Sequence, residues 1–476
     1  MTTIDRTPAL SPVALADLAG SVSGVVLTPG QPGYAEESAP FNLALESHPA
    51  VVVGATGAAD VQAAVRFAAE HGLPVAVMST GHQASVPVDA AVLITTRRMS
   101  DVSVDPLAAT ATVGAGVQWQ QVVDATTPYG LAPLNGSSPL VGVVGYTLGG
   151  GLSPMLGRAF GWAADALLAM TVVTADGEVH ELSADAADPL DADLFWGLPG
   201  AKSNLGVVTS MTFRLFPVSR LIGGGVFFAG TELAPVLTAY AALTASAPDE
   251  LTTSIALLRF PPLPFVPEFL QGTFVVHVRV SFLGSAEAAE ELLRPLRVAA
   301  PAILDTVADM PYADFASIHA DPSSPAPWRE RAALLGPLTP GAVDTLVELA
   351  GPDAEVPVQM LQLRHLGGAL ARGEASTNAA ARRHAEFTLD ALAIGPAEAT
   401  REAMTWAAVL VEQLAPVRVP GANLNFLAAE DASPAEVVAA HDPDVLARLR
   451  RIKRAVDPGN TFRLNHNITP EEADAR

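Results

Sequence analysis

Two short runs of small residues have the composition to do chemistry. One is Ser79-Thr80-Gly81-His82, which follows the apolar segment Val75-Ala76-Val77-Met78. The other runs from Gly136 to Gly151, opening with Gly136-Ser137-Ser138-Pro139 and ending in Gly149-Gly150-Gly151. Without a Cβ, glycine lets backbone N–H groups approach an anion closely, and consecutive N–H groups form an anion-binding concavity. Two such loops in one domain could cradle the pyrophosphate of a large nucleotide with no lysine present. On spacing alone the same glycines read equally well as tight turns. His82 adds an imidazole, which is a nucleophile when neutral.

More familiar signatures fail. Gly114-Ala115-Gly116 meets Trp119 where a dinucleotide fingerprint requires glycine. Lys202 is preceded by Ala201, so there is no phosphate-binding loop of the Gly-Lys-Ser kind. Gly136-Ser137-Ser138-Pro139 lacks the second glycine of a nucleophile elbow. The 10 histidines are scattered without a pair at metal-ligand spacing, so no metal is expected. With no cysteine in the chain, disulfides, thiolate zinc sites, iron–sulfur clusters and cysteine nucleophiles are excluded.

The elements that must position these loops follow from the hydropathy pattern. Val51-Val52-Val53, a helix over 59–71 and Val75-Ala76-Val77-Met78 form a β-α-β unit that delivers His82 at a strand end. Val92-Leu93-Ile94 and Ala111-Thr112-Val113 read as strands, and 117–125 as a helix. Thr171 to Thr174, the turn pair Asp176-Gly177 and Val179 to Leu182 form a hairpin. A further strand starts at Val207. Beyond residue 220 the glycine-rich loops cease. The span 274–282 alternates, with Val276, Val278, Val280 and Phe282 on one face and His277, Arg279 and Ser281 on the other, and its expected neighbour is 254–260. Residues 287–296 and 445–456 are helical. The overall expectation is an α+β protein with a two-subdomain N-terminal unit over 1–220, a substrate domain with an antiparallel sheet over 221–418, and a C-terminal segment over 419–476 that returns to the first unit.

Length and charge set the outer bounds. A chain of 476 residues predicts about two or three domains. Lys plus Arg is 27 against 50 Asp plus Glu, a net charge of −23, which argues against a nucleic-acid partner and against an anionic membrane surface. The N-terminal Met1-Thr2-Thr3-Ile4-Asp5-Arg6 does not read as a secretory signal, and no apolar run is long enough to span a membrane. A cytoplasmic protein, monomeric or homodimeric, is the expectation.

Four ordered motifs then carry a resemblance over nearly the whole chain. Met78-Ser79-Thr80-Gly81-His82 resembles a family Arg-Ser-Gly-Gly-His. Gly136 to Gly151 resembles Gly-x-Cys-Pro-x-Val-Gly-x-x-Gly-x-x-x-Gly-Gly-Gly. Leu194-Phe195-Trp196-Gly197-Leu198-Pro199-Gly200-Ala201-Lys202-Ser203-Asn204-Leu205-Gly206-Val207-Val208-Thr209 resembles Leu-Phe-Trp-Ala-Leu-Arg-Gly-Gly-Gly-x-Asn-Phe-Gly-Ile-Val-Thr. The ending Asn460-Thr461-Phe462-Arg463-Leu464-Asn465-His466-Asn467-Ile468 is similar to that of one branch. The family is the vanillyl-alcohol oxidase and p-cresol methylhydroxylase superfamily, in its bacterial branch of FAD-linked oxidases similar to berberine bridge enzyme.

The resemblance implies an FAD domain of the p-cresol methylhydroxylase type and a substrate domain whose sheet covers the isoalloxazine. It implies FAD contacts from Ser79, Thr80, Gly81, His82, Gln83 and Ala84, and from Ser137, Ser138, Val141, Gly142, Gly145, Tyr146, Gly149 and Gly150. Gly206, Val208, Asn465 and Asn467 complete the set. His82 matches the histidine that bonds covalently to the flavin. Many relatives add a second bond through a cysteine, where this chain has Ser138, so a single tether is expected. Met78 replaces the usual arginine, and Pro199, Ala201, Lys202 and Ser203 interrupt the Arg-Gly-Gly-Gly segment. The tyrosine that relatives carry in Tyr-x-Asn is Asn423, in Asn423-Leu424-Asn425-Phe426, so their usual base is missing.

Met360-Leu361-Gln362-Leu363-Arg364-His365 resembles the strand that crosses above the flavin. Alternation puts Gln362 and Arg364 on one face and His365 on the other. Gln362, Arg364 and Tyr146 are the candidates for substrate contact, with Arg364 also able to balance charge on reduced flavin or to form an interface salt bridge. His365 reads as structural, and Phe260, Phe265 and Phe282 as candidate pocket lining. The implied activity is hydride removal from a C–H bond of a small alcohol, amine or natural-product intermediate to FAD. Dioxygen would restore the flavin and give hydrogen peroxide, and Val141 matches relatives that react readily with oxygen. A dehydrogenase with another electron acceptor and a flavin-binding member without turnover are the alternatives.

Overall fold

A computed structural model describes residues 10–83, 85–264, 266, 268–372, 377–380 and 383–472. The N-terminal hexapeptide, Ala84 and Phe265 lie outside the described residues.

The architecture is α+β, with three sheets. The first half of the chain carries two of them. In the smaller, strands Val51–Gly54, Val92–Thr95 and Val75–Met78 lie parallel, with Val25–Leu27 antiparallel at one edge. Helix Ala58–Glu70 makes the crossover, burying Val61, Ala64, Val65 and Ala68. These strands are apolar throughout because both faces are covered. The second sheet is antiparallel, in the order Val102–Asp105, Thr110–Gly114, Val207–Arg214, Leu167–Val173, Val179–Ser183.

Helix Pro443–Val456 and the tail after it share one core with these two sheets, through Leu446, Leu449, Ile452, Val456, Phe462 and Ile468. The fully buried Lys453 ammonium fastens the tail. It donates to Asp457 at 2.6 Å, to the Asn204 carbonyl at 2.7 Å and to the Phe462 carbonyl at 3.0 Å. All three ammonium protons are thereby satisfied, which a buried charge requires.

The largest sheet has nine antiparallel strands. Its central run is Arg220–Ala229, Phe274–Phe282, Leu251–Arg259, Met360–His365, Phe387–Ile394 and Trp328–Leu335. One face is apolar: Val276, Val278, Ile255, Leu257, Leu361, Leu363 and Leu389 pack in a single core with helices Leu233–Ala245, Pro340–Ala350 and Ala397–Gln413. The other face is polar yet also buried, carrying His277, Arg279, Ser254, Gln362, Thr388, Asp390 and Glu330. A half-exposed sheet would put these side chains in water. Here they are enclosed, so the polar face is where this half of the protein meets something other than solvent.

Two sequence expectations need correction. The run 136–151 is not one loop, because Val143–Leu148 is a helix inside it, starting after Gly142 and ending at Gly149. Phe282 belongs to an apolar cluster with Leu243, Leu251 and Leu293 and does not line the polar face, while Phe260 directly follows strand Leu251–Arg259 and bonds through its backbone to Thr273 and Gly272. No helix among the described residues is long and apolar enough to cross a membrane.

Candidate active site

The loop bearing His82 leaves the carboxyl end of strand Val75–Met78, where open parallel sheets place their ligands. Gly81 turns it at φ +70°, and a Cβ there would stand 2.6 Å from the Pro40 Cβ, so only glycine fits. The Phe41 and Asn42 N–H groups donate to the Thr80 and Gly81 carbonyls at 2.9 and 3.0 Å. Asn42 in turn exchanges two 3.2 Å hydrogen bonds with the backbone of Trp328, the first residue of a strand in the nine-stranded sheet. Asn42 thus couples the histidine loop directly to the polar sheet.

The His82 ring is sandwiched against Phe41, with Trp328 beside it. Nδ1 lies 2.8 Å from Thr80 Oγ1, while Nε2 is buried without a partner among the described residues. Burial pushes its pKa down to about 4, with Asp321 pulling the other way. The ring is therefore neutral at pH 7, as a nucleophile must be.

The glycine-rich run closes on this loop. A Cβ on Gly142 would stand 3.0 Å from Ser79 Oγ, itself buried and unpartnered. Ser138 Oγ accepts from the Leu140 N–H at 3.4 Å. Ser137 is buried, Val141 packs against the core, and Gly145 is exposed. Asn425 ties off the end of the run, donating to the Tyr146 carbonyl and accepting from the Gly151 N–H, both at 2.8 Å. It leaves no room for a side chain at Gly149. Gly150, at φ +108°, packs against Trp162. Tyr146 donates its hydroxyl to the Leu134 carbonyl at 3.1 Å and packs edge-on to Trp119. Burial raises its pKa well above the ordinary value.

Val208 sits in the second sheet and Gly206 just before its strand Val207–Arg214, where a Cβ on Gly206 would stand 2.6 Å from the Val173 carbonyl. Beside them the C-terminal tail returns. Asn204 donates to the His466 carbonyl at 3.1 Å and accepts from the Ile468 N–H at 2.8 Å, and Asn465 donates to Ser203 Oγ at 3.1 Å. The Oδ1 atoms of Asn465 and Asn467 are buried without hydrogen-bond partners among the described residues.

The polar sheet face closes the site from the other side. Arg279 donates to Gln362 Oε1 at 3.0 Å, and Gln362 donates to Asp390 Oδ2 at 2.9 Å. Asp390 Oδ1 has no hydrogen-bond partner among the described residues. Burial raises the pKa of Asp390, and burial together with Asp390 raises that of Glu330 well above the usual carboxylate range. The Arg364 guanidinium stands 5.2 Å above the Phe426 ring and forms no salt bridge among the described residues. His365 is on the opposite face, facing Arg158 Nη1 at 3.3 Å and stacked on Phe387.

Comparison with known proteins decides which cofactor this cleft is built for. The profile of a family described as FAD binding domain matches residues 49–183, and one described as berberine and berberine like matches 445–469. The chain is 28% identical over 469 residues to (R)-6-hydroxynicotine oxidase of Paenarthrobacter nicotinovorans, covering 95% of this chain and 98% of the relative. A crystal structure of 6-hydroxy-D-nicotine oxidase from Arthrobacter nicotinovorans superposes with a TM-score of 0.81 at 27% identity, over 95% of this chain and 99% of the other. Xylooligosaccharide oxidase from Myceliophthora thermophila C1 shares the fold, with a TM-score of 0.83 at 21% identity over 97% of this chain and 100% of the other. Over nearly its whole length the chain is similar to FAD-linked oxidases of the berberine-bridge-enzyme-like kind within the vanillyl-alcohol oxidase and p-cresol methylhydroxylase superfamily. It is an FAD-linked oxidoreductase.

The cleft of this flavoprotein fits the cofactor. Its orphaned polar atoms, Ser79 Oγ, His82 Nε2 and the Oδ1 atoms of Asn465 and Asn467, lie on the segments that the family motifs mark. Sequence reasoning missed Asp390, Glu330 and Arg279 as site residues. Alternation in 274–282 already separated Arg279 from the valines, but nothing local marks Asp390. Lys202, a departure from the family motif in the sequence, takes a backbone conformation that the sequence did not reveal. It takes φ 54° where the family motif has glycine, donates its backbone N–H to the Leu198 carbonyl, and has its pKa lowered to about 8 by burial.

Proposed function

We propose that the chain is an oxidase that removes a hydride from a C–H bond of a small alcohol, amine or related substrate, with Asp390 as the base. Bound in the cleft, FAD supplies the hydride acceptor and, through dioxygen, the route to hydrogen peroxide. The observation that carries this reading is Asp390 Oδ1, a buried, unpartnered carboxylate oxygen on the sheet face above the histidine loop.

Asp390 is suited to take the proton of a substrate hydroxyl or ammonium. Burial raises its pKa toward the operating range of a general base. Gln362 holds its other oxygen, and Arg279 fixes Gln362. The base is therefore oriented by two groups that do not themselves react. Its presence removes the need for the tyrosine replaced by Asn423. His82 Nε2 is the attachment atom for a covalent flavin: when Nδ1–H donates to Thr80, Nε2 keeps its lone pair. Ser138 has no adjacent base to make it a nucleophile, which supports a single tether. The full-length relative named an oxidase supports oxygen as the electron acceptor.

Anaerobic mixing of the yellow holoenzyme with a panel of alcohols and amines tests the reading. Flavin bleaching followed by fast recovery of colour in air, with peroxide formed, is the expected result. Recovery far slower than turnover would instead identify a dehydrogenase, and no bleaching across the panel would reject turnover.

A further inference from the structure

The polar sheet face has an imbalance that the proposed hydride chemistry does not use. Strand register places Ser254 between Arg279 on one neighbouring strand and Arg364 on the other. Strands are about 4.8 Å apart, so the two arginine stems straddle a gap of about 10 Å with Ser254 in the middle. Arg279 is 3% exposed. The Nε atoms of Arg279 and Arg364 and the Oγ of Ser254 are all buried without hydrogen-bond partners among the described residues. Among the described residues neither guanidinium is ion-paired with a carboxylate.

The surroundings leave a donor of each guanidinium unused. Arg279 has spent one N–H on Gln362, which is neutral. His277 and His319, on the same side, are held neutral by burial and by the arginines themselves. Asp390 and Glu330 couple electrostatically to Arg364, yet among the described residues neither carboxylate is ion-paired with either guanidinium. Asp321 acts on Arg279 from a distance but makes no contact with it. A buried Arg279 guanidinium beside a half-buried, like-charged Arg364 is costly unless an anion completes the site, and planar guanidinium donors are matched to carboxylate geometry.

We infer that the substrate carries a carboxylate, received between Arg279 and Arg364 over Ser254, while its reacting C–H and proton-bearing atom face Asp390. This rests on the oxidase reading above and assigns its substrate class: a hydroxy or amino acid, or an acidic natural-product intermediate. The rival occupant is the negative charge of reduced flavin.

The test uses the purified holoenzyme, whose yellow colour is read first. A colourless preparation overturns the flavin reading, and the substrate class with it. Sodium benzoate is then titrated while the flavin spectrum is followed, with benzamide as the uncharged isostere. Benzoate is expected to perturb the spectrum and to bind about tenfold or more tighter than benzamide, the difference a charge-assisted hydrogen bond confers. Arg279→Met and Arg364→Met should each weaken benzoate by about tenfold or more and leave benzamide within about twofold. An unmoved spectrum, or equal affinity for the two probes, overturns the inference without needing any variant to fold. Variants that shift the flavin's reduction potential yet bind benzoate like the parent assign the arginines to the reduced cofactor, and overturn it too.

Discussion

The imidazole of His82 lies flat on the ring of Phe41, with centroids 4.0 Å apart and planes 11° from parallel. Phe41 belongs to the segment whose N–H groups hold the histidine loop, so one short stretch fixes both the backbone and the ring plane. A stacked, buried ring that stays neutral has its free nitrogen pre-aimed. After acid precipitation the parent protein should give a yellow pellet, with flavin mass on the peptide containing His82 and none on the peptide containing Ser138. His82→Ala should give a colourless pellet. Phe41→Ala should bind FAD but attach a smaller fraction of it, as read by the colour left after precipitation.

Asp390→Asn keeps the side chain's shape and its bond to Gln362 while removing the proton acceptor. If Asp390 is the base, the reductive half-reaction should slow by about 10²–10⁴-fold, with the flavin spectrum and thermal melting little changed. A variant that reduces its flavin as fast as the parent would remove Asp390 from the chemistry.

Lys202 occupies a backbone conformation that suits glycine, at φ 54°. Lysine there costs about 1–2 kcal/mol relative to glycine. Lys202→Gly should therefore raise the denaturant midpoint, and urea titration of the two proteins measures it. An unchanged or lower midpoint would contradict the strain assigned to this position.

His365 is held neutral by burial, its pKa falling from 6.5 to about 3, with Arg158 as the second cause. The unfolded chain takes up this proton first as pH falls. The stability it supports is complete above pH 6.5 and is lost progressively down to about pH 3. Each tenfold rise in proton concentration within that window costs about 1.4 kcal/mol. His365→Gln can still accept from Arg158 and does not titrate. Its melting temperature should fall less steeply between pH 6.5 and 4 than the parent's, and parallel curves would contradict the assignment.

Much of the site was legible because its signals are local. The β-α-β unit that presents His82 is visible in Val51 to Val53, the helix after them and Val75 to Met78, since period and caps operate within a few residues. The two faces of 274–282 and of 360–365 were readable for the same reason: alternation is a property of the strand itself. The helix Val143–Leu148 was not readable, because glycines on both sides masked a single turn and a half of apolar residues.

The amino-acid order by itself determined which residues could grip a flavin and which histidine could hold it. Glycine's freedom and strand alternation need no partner to express themselves. Tertiary structure alone decided what stands opposite. Gln362 and Asp390 are 28 positions apart and meet only because their strands pair in one antiparallel register. Asn42 reaches Trp328 across 286 positions. The desolvation that raises Asp390 and neutralises His82 comes from the closure of the nine-stranded sheet on the nucleotide loops, and burial is a property of the whole assembled chain rather than of any segment.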